Sequence, residues 1–365
     1  MKYPKSIAFV LLVLVSYSCN QNLKKENMDT KEDKEILTFT LSDGVSKENV
    51  TFKNRYGISI AGHLYLPKNI DKTKKHIALV LSGPFGAVKE QSSGLYANEM
   101  AKRGFVALAF DPSFTGESGG DVRNVASADI FTEDFSAAVD YLGLQNYVDR
   151  NKIGALAICG LSGMAITAAA SDTRIKAIAT ASMYDMSRSI SKGYMDSYTN
   201  EQRHKISDYL SQQRWIDAEK GTYALGYHEI PFDEKGEIVK GTKLIPDTLP
   251  ENPNPVLVDF YSYYKTKRGY HPRSINSTSA WTATTPISFF NFPMHTNLDL
   301  LSPRPIMLIA GEKAHSRYYS EDVYKIASNP KELIIVPGAT HCDLYDKVGM
   351  IPFDKLESFF KEYLR

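Results

Sequence analysis

Six short runs of β-branched and small apolar residues recur along the chain, and all but one lead into a segment with helical spacing. They are HIALVLSG (76–83), FVALAFD (105–111), KIGALAIC (152–159), IKAIATASM (175–183), RPIMLIAGE (304–312) and KELIIVPG (331–338). Runs this continuously apolar are expected of strands covered on both faces. The segments that follow, 92–104, 127–145, 164–171, 320–328 and 353–365, carry apolar residues at helical spacing; Ile130, Phe135, Ala138 and Tyr141 would face inward in the second. Strands alternating with helices in this way require parallel βαβ units and a doubly wound sheet. Upstream, ENVTFKN (48–54) and ISIAGHLYLPK (58–68) predict a hairpin turning at Tyr56-Gly57.

The rhythm breaks near residue 187 and returns at 301. The intervening segment is rich in Tyr, Asn, Pro and charge. It reads as a helical and irregular insertion, expected to cap the sheet's C-terminal edge. The core is therefore expected over 48–186 and 301–365, with the cap at 187–300. Formal net charge is +1, from 43 basic and 42 acidic residues, so no basic field points to nucleic acid. Neither a zinc-type Cys/His spacing nor a phosphate-binding glycine motif is present, and no cofactor or metal is expected.

The N-terminus carries Lys2 and Lys5, an apolar run from Ile7 to Val15, then small residues and Cys19. The run is too short to span a bilayer and fits the core of a signal peptide over residues 1–19. Ser18-Cys19 resembles a bacterial lipoprotein processing site, with Ser16 where Leu is usual. The expectation is an exported protein, facing the periplasm or on the outer surface, touching membrane through a lipid on Cys19. The polar stretch 20–47 would be a flexible tether. Of the remaining cysteines, Cys159 and Cys342, one is expected to be a functional thiol, with a disulfide between the two as the alternative.

In open α/β sheets ligands sit beyond the carboxyl ends of the strands. The loops there include GPFGAVKEQ (83–91), DPSFTGESGG (111–120), CGLSGM (159–164), MYDMSR (183–188), AGEKAHSR (310–317) and VPGATHCDLYD (336–346). In their order and composition they resemble the α/β-hydrolase superfamily. The similarity is to the dienelactone-hydrolase-like branch, and to capped relatives like S15 peptidases and polyketide transferases. The resemblance implies an α/β-hydrolase fold with the cap inserted before the penultimate core strand.

It also implies a nucleophile at the turn AICGLSGMA (157–165), where small residues must flank the nucleophile two positions away on either side. Centred on Cys159 the pattern is spoiled by Leu161; centred on Ser162, by Met164; a third register seats Leu161 itself. In the superfamily the nucleophile commonly falls six residues after the Ile of an Arg/Lys-Ile-Gly strand start, and from Ile153 that residue is Cys159. Ser162 and a vacant elbow stay open. His341, in the loop after the last strand, matches the family's general base. Backbone N–H groups of Gly160 and Phe85 would form the oxyanion hole. For the acid, the usual position falls on Ala314, which leaves Glu312, with Asp185 as the alternative. His315 and Arg317 could bind an anionic group, and Asp343 could stabilise the His341 loop. The aromatics Trp215, Tyr261, Tyr263, Tyr264, Trp281, Phe289 and Phe290 would build the cap's own core or face substrate. Together these residues imply cleavage of an ester, lactone or related acyl bond in a small or polymer-derived substrate. The alternatives are acyl transfer, or a degenerate binding protein of the same fold.

Overall fold

The computed structural model describes residues 36–365. Among them, eight strands form one sheet: β1 (Val45–Lys53), β2 (Ser59–Pro67), β3 (His76–Ser82), β4 (Val106–Phe110), β5 (Val148–Ile158), β6 (Ile175–Ala181), β7 (Ile306–Gly311) and β8 (Lys331–Val336). Their spatial order is β1-β2-β4-β3-β5-β6-β7-β8. The β1–β2 hairpin and the β2–β4 pair are antiparallel; every later pairing is parallel. The parallel strands therefore end on one edge. The strands β3 to β7 are almost wholly buried, which is why they read as unbroken apolar runs in the sequence.

Helices α1 (Ser92–Lys102), α2 (Ala128–Gly143), α3 (Leu161–Ser171), α7 (Arg317–Ile326) and α8 (Phe353–Tyr363) flank the sheet. Ser127 caps α2 by accepting the Ile130 N–H, the bond expected of a Ser at that position. In α8, Phe353, Leu356, Phe359 and Phe360 recur at helical spacing and are buried.

Between β6 and β7 the chain builds the cap, with helices α4 (Met186–Lys192), α5 (Asn200–Lys220) and α6 (Pro255–Tyr264). Thr199 and Gln202 close a reciprocal capping box at the start of α5, and Gly221 ends it in the left-handed conformation. The aromatics expected to form a separate cap core divide differently. Tyr263, Tyr264, Trp281 and Phe289 are buried within the main core, and Tyr261 and Phe290 pack against it. Trp215 is 69% exposed, and the cap's own cluster is aliphatic: Ile206, Leu210 and Ile230.

The boundary between tether and core also moves. The Thr38 N–H donates to Glu90 O at 3.0 Å, the Ser42 N–H to Asn98 Oδ1 at 2.9 Å, and β1 begins at Val45. Residues 36–47 thus belong to the folded unit. The expected leader, Cys19 and residues 20–35 lie outside the described residues. Among the described residues no helix is long and apolar enough to cross a membrane.

Candidate active site

The strand β5 stops at Ile158, and Cys159 takes φ +56° before α3 begins. A left-handed conformation at a residue with a Cβ costs on the order of 1–3 kcal/mol and persists only where the surroundings hold it. Here the Cys159 N–H donates to Ala181 O at 2.9 Å, and its carbonyl accepts from the N–H of Ser162 and of Tyr184. Of the three registers, the strained turn falls on Cys159. Ser162 lies inside α3, buried, with its hydroxyl donating to Ala157 O at 3.1 Å. The side chain of Leu161, which spoils the motif, finds room because Gly83 faces it: a Cβ on Gly83 would lie 3.2 Å from Leu161 Cβ and 2.1 Å from Ile158 O.

The Tyr345 hydroxyl and the N–H groups of Gly160 and Phe85 lie beside the Cys159 thiol and act to lower its pKa. Gly160 has no room for a side chain, since a Cβ there would lie 2.6 Å from Phe85 Cβ. The loop that carries Phe85 is held by the cap. Asn276 Nδ2 donates to Phe85 O at 2.8 Å, and Ser274 Oγ donates to Gly86 O at 2.9 Å. Trp281 packs against the Phe85 ring with centroids 4.3 Å apart.

His341 is fully buried in the loop after β8. Its Nε2 lies 2.8 Å from the Tyr345 hydroxyl and its Nδ1 2.6 Å from Ser316 Oγ. Tyr345 thus stands between the imidazole and the thiol in a chain Cys159–Tyr345–His341–Ser316. The rings of His315, Phe260 and Tyr184 surround His341 at 4.8–5.4 Å between centroids. From α6, Asp259 accepts from Thr340 Oγ1 at 2.9 Å and from the Cys342 N–H at 3.0 Å, and Arg268 donates to Cys342 O. Asp343 accepts the Thr340 N–H, so it braces the loop. Both the loop bearing Phe85 and the loop bearing His341 are therefore fastened by residues of the cap.

Neither carboxylate expected as the acid reaches His341. Glu312 is exposed and accepts the Gly338 N–H; Asp185 caps α4 and faces His295. The turn after β7 brings Ser316 to Nδ1, two residues beyond Ala314. Arg317 is paired with Glu321 along α7, and His315 bonds the Tyr184 hydroxyl, so the expected anion site is not assembled. Cys159 and Cys342 are both free thiols, which removes the disulfide alternative.

Burial dominates the protonation of this chain. It pushes the Cys159 thiol up to about 11, against the pull of Tyr345 and the two amides. It holds His341 well below the usual histidine range, with His315 beside it adding to the effect. His315 is lowered to about 4 by the same burial. The resting site thus holds a neutral thiol and a neutral imidazole.

A cavity of about 310 Å³ opens above Cys159. Core loops contribute Phe85, Tyr184, His315 and Tyr345 to its wall, and the cap contributes His228, Glu229, Phe260, Tyr264 and Asn276 among others. His341 does not line it. Shortly after Phe85 in the sequence, Lys89 and Glu90 enter an ionic cluster that is buried at Lys89, Glu90 and Asp111 and partly exposed at Glu117 and Arg273. Its carboxylates Glu90, Asp111 and Glu117 surround Lys89 Nζ, and Arg273 pairs with Glu90 at 2.6 Å and Glu117 at 3.1 Å. His63, Glu90 and Glu117 are close enough together to hold a metal ion, but Lys89 and Arg273 already supply the countercharge there. Burial keeps His63 neutral, down to about 2.

Tyr345, Ser316, Asn276, Asp259 and Glu229 were not among the expected site residues. Of these, Tyr345 alone had a local signal, four residues after His341 in the sequence.

No family model matches the chain. Protein PA2218 of Pseudomonas aeruginosa is 56% identical over 327 residues, 90% of this chain and 83% of that protein. YcjY of Escherichia coli K12 is 33% identical over 87% of this chain and 99% of its own. The acyltransferase drtE of Aspergillus calidoustus is 23% identical over 84% and 91%. The crystal structure of PA2218 matches with a TM-score of 0.82, covering 90% of this chain and 96% of that one. The α/β hydrolase GrgF from Penicillium sp. sh18, 19% identical, matches with a TM-score of 0.68 over 87% of this chain and 99% of its own, a likeness of fold. The chain therefore belongs to one family with PA2218 and YcjY, and its sheet order and inserted cap give it the α/β-hydrolase fold.

Proposed function

We propose that the chain cleaves or transfers an acyl group held as an ester, lactone or thioester, with Cys159 as nucleophile. The observation that carries this reading is the thiol of a strained elbow residue, flanked by two backbone N–H donors at the floor of a cavity. During attack the thiol proton passes to the Tyr345 oxygen while the Tyr345 proton passes to His341 Nε2. This requires His341 to carry its resting proton on Nδ1, donated to Ser316 Oγ. Sulfur then bonds to the acyl carbon, and the carbonyl oxygen becomes an oxyanion that takes the N–H groups of Gly160 and Phe85. Donors fixed in this way are worth on the order of 10²–10³ in rate each. The proton returns along the same path to the departing alcohol or thiol, leaving an S-acyl enzyme. Water or an acceptor alcohol then takes the acyl group, which is the difference between hydrolysis and transfer.

A second reading, a binding protein of this fold, is favoured by the neutral resting thiol and by the lack of a carboxylate at His341 Nδ1. Mass spectrometry after mixing with a panel of p-nitrophenyl esters and N-acetylcysteamine thioesters separates the two. An acyl adduct on Cys159, lost in Cys159→Ala, is the expected result; no adduct and no turnover on any member would leave the binding reading. The same proposal places the protein outside the cytoplasm on a lipidated Cys19, supported by Lys2, Lys5 and the apolar run that follows. Metabolic labelling with a palmitate analogue, abolished in Cys19→Ser, is the corresponding test.

A further inference from the structure

Glu229 is the one formally charged side chain in the cavity wall among the described residues. Its partners on that wall are otherwise aromatic, aliphatic or neutral polar. The Ser189 hydroxyl donates to one of its oxygens, and no Lys, Arg or His forms an ion pair with it among the described residues. Its neighbour His228 cannot neutralise it, because burial favours the uncharged ring, and His228 Nδ1 is itself buried without a hydrogen-bond partner. The charge of Glu229 is felt across the pocket, where it opposes ionisation of Cys159, Tyr184 and Tyr319. Glu90 and Asp111, which are fully buried, are by contrast matched by the cations Lys89 and Arg273. A half-buried carboxylate in a cavity wall of aromatic and apolar side chains, with no cation paired to it there, is a natural partner for a cationic ligand.

We propose that the acyl group accepted at this site carries a cationic amine, bound by Glu229 on the cap wall. The tyrosines Tyr184, Tyr194 and Tyr264 line the same cavity and suit an ammonium group, since aromatic faces attract cations. Apolar Met186, Leu244, Ile245 and Val256 would cover the methylene chain between that amine and the acyl carbon. The proposal rests on the acyl-transfer reading for where the carbonyl lies, but the amine subsite is measurable without turnover.

The test uses full-length Cys159→Ala protein and non-hydrolysable ω-aminoacyl amides of increasing chain length, each paired with its chain-matched neutral acyl amide. At the best length the ω-amino ligand is expected to bind about tenfold tighter or more than its neutral partner, as for a charge-assisted hydrogen bond. The ratio should collapse toward one when Glu229→Gln is added. Glu229→Lys should invert it in favour of ω-carboxyacyl amides. Comparing ligands within each variant removes any effect on folding. Equal affinities at every chain length, or a preference that survives Glu229→Gln, would overturn the proposal. A Glu229-dependent preference in a protein that turns over no ester would sustain the amine site and sink the acyl-transfer reading instead.

Discussion

Replacing Tyr345 by Phe removes one oxygen from the middle of the site and little else. The ring would keep its packing against Tyr263, Tyr264 and His341, at centroid distances of 5.1, 6.2 and 5.2 Å, so the fold should survive. The 2.8 Å hydrogen bond to His341 Nε2 disappears, and with it the pull of the hydroxyl on the Cys159 thiol beside it. The imidazole nitrogen is then buried without a partner, at a cost of about 1–3 kcal/mol in stability. The loss in rate should be larger. With the phenyl ring still between sulfur and imidazole, general-base assistance worth roughly 10²–10⁴ is withdrawn from kcat. The thiol should also become harder to ionise, since one of the groups pulling its pKa below that of a bare buried thiol is gone. With that pKa at about 11, roughly one wild-type thiol in a thousand is ionised at pH 8. Iodoacetamide should therefore label Cys159 slowly, at a rate rising steadily with pH past 9, and Tyr345→Phe should label more slowly still. The assays are kcat on the best thioester of the panel and the alkylation rate against pH. A Tyr345→Phe enzyme with wild-type kcat would refute the relay. A wild-type alkylation profile that levels off near pH 7 would refute the neutral resting pair.

Cys159→Ala should abolish turnover, whereas Ser162→Ala should lose about 1 kcal/mol of stability from its bond to Ala157 O and keep kcat within roughly twofold, read by kinetics and thermal melts. Gly160→Ala drives a methyl to 2.6 Å from Phe85 Cβ and 2.7 Å from Met186 Sδ. We expect it to cost about 1–3 kcal/mol in stability and roughly 10²–10³ in kcat by spreading the oxyanion donors. Ser316→Ala should lower kcat by up to about 10²-fold through a misplaced His341, while Glu312→Gln should leave kcat alone; the reverse pattern would restore Glu312 as the acid. Acid should unfold the protein early. His63 and His315 have folded pKa values near 2 and 4, below the unfolded 6.5, so each takes up a proton only on unfolding. Their stabilising effect is complete above pH 6.5 and is lost as pH falls, by roughly 2 kcal/mol each at pH 5. A melting temperature flat from pH 7 to pH 5 would contradict this.

The sheet was legible because a strand buried on both faces must be apolar along its whole length, as in IALVLS, VALAF and ALAI. The strained turn at Cys159 was reachable by counting from Ile153, since the turn follows its strand at a fixed remove. Leu161 obscured it, because the space that admits Leu161 is made by Gly83, nearly eighty residues away in the sequence. The acid was misplaced for a related reason. Glu312 is the nearest carboxylate in the chain, but the turn that follows β7 points it outward and brings Ser316 to the imidazole. Asp259, Arg268, Ser274 and Asn276 carried no signal, since polar residues in an irregular segment acquire meaning only from what they touch after folding.

Those four residues alter how the insertion can change over evolution. A lid that merely shaded the cavity could be exchanged between relatives to alter which substrate is admitted, with the chemistry untouched. Here the inserted segment fastens the loop bearing Phe85 on one side and the loop bearing His341 on the other. A chimera with a foreign insertion would inherit Cys159 and His341 in sequence and lose their alignment in space. New specificities in this lineage should therefore arise by substitutions along the cavity wall, with the length of the insertion and these anchoring side chains retained.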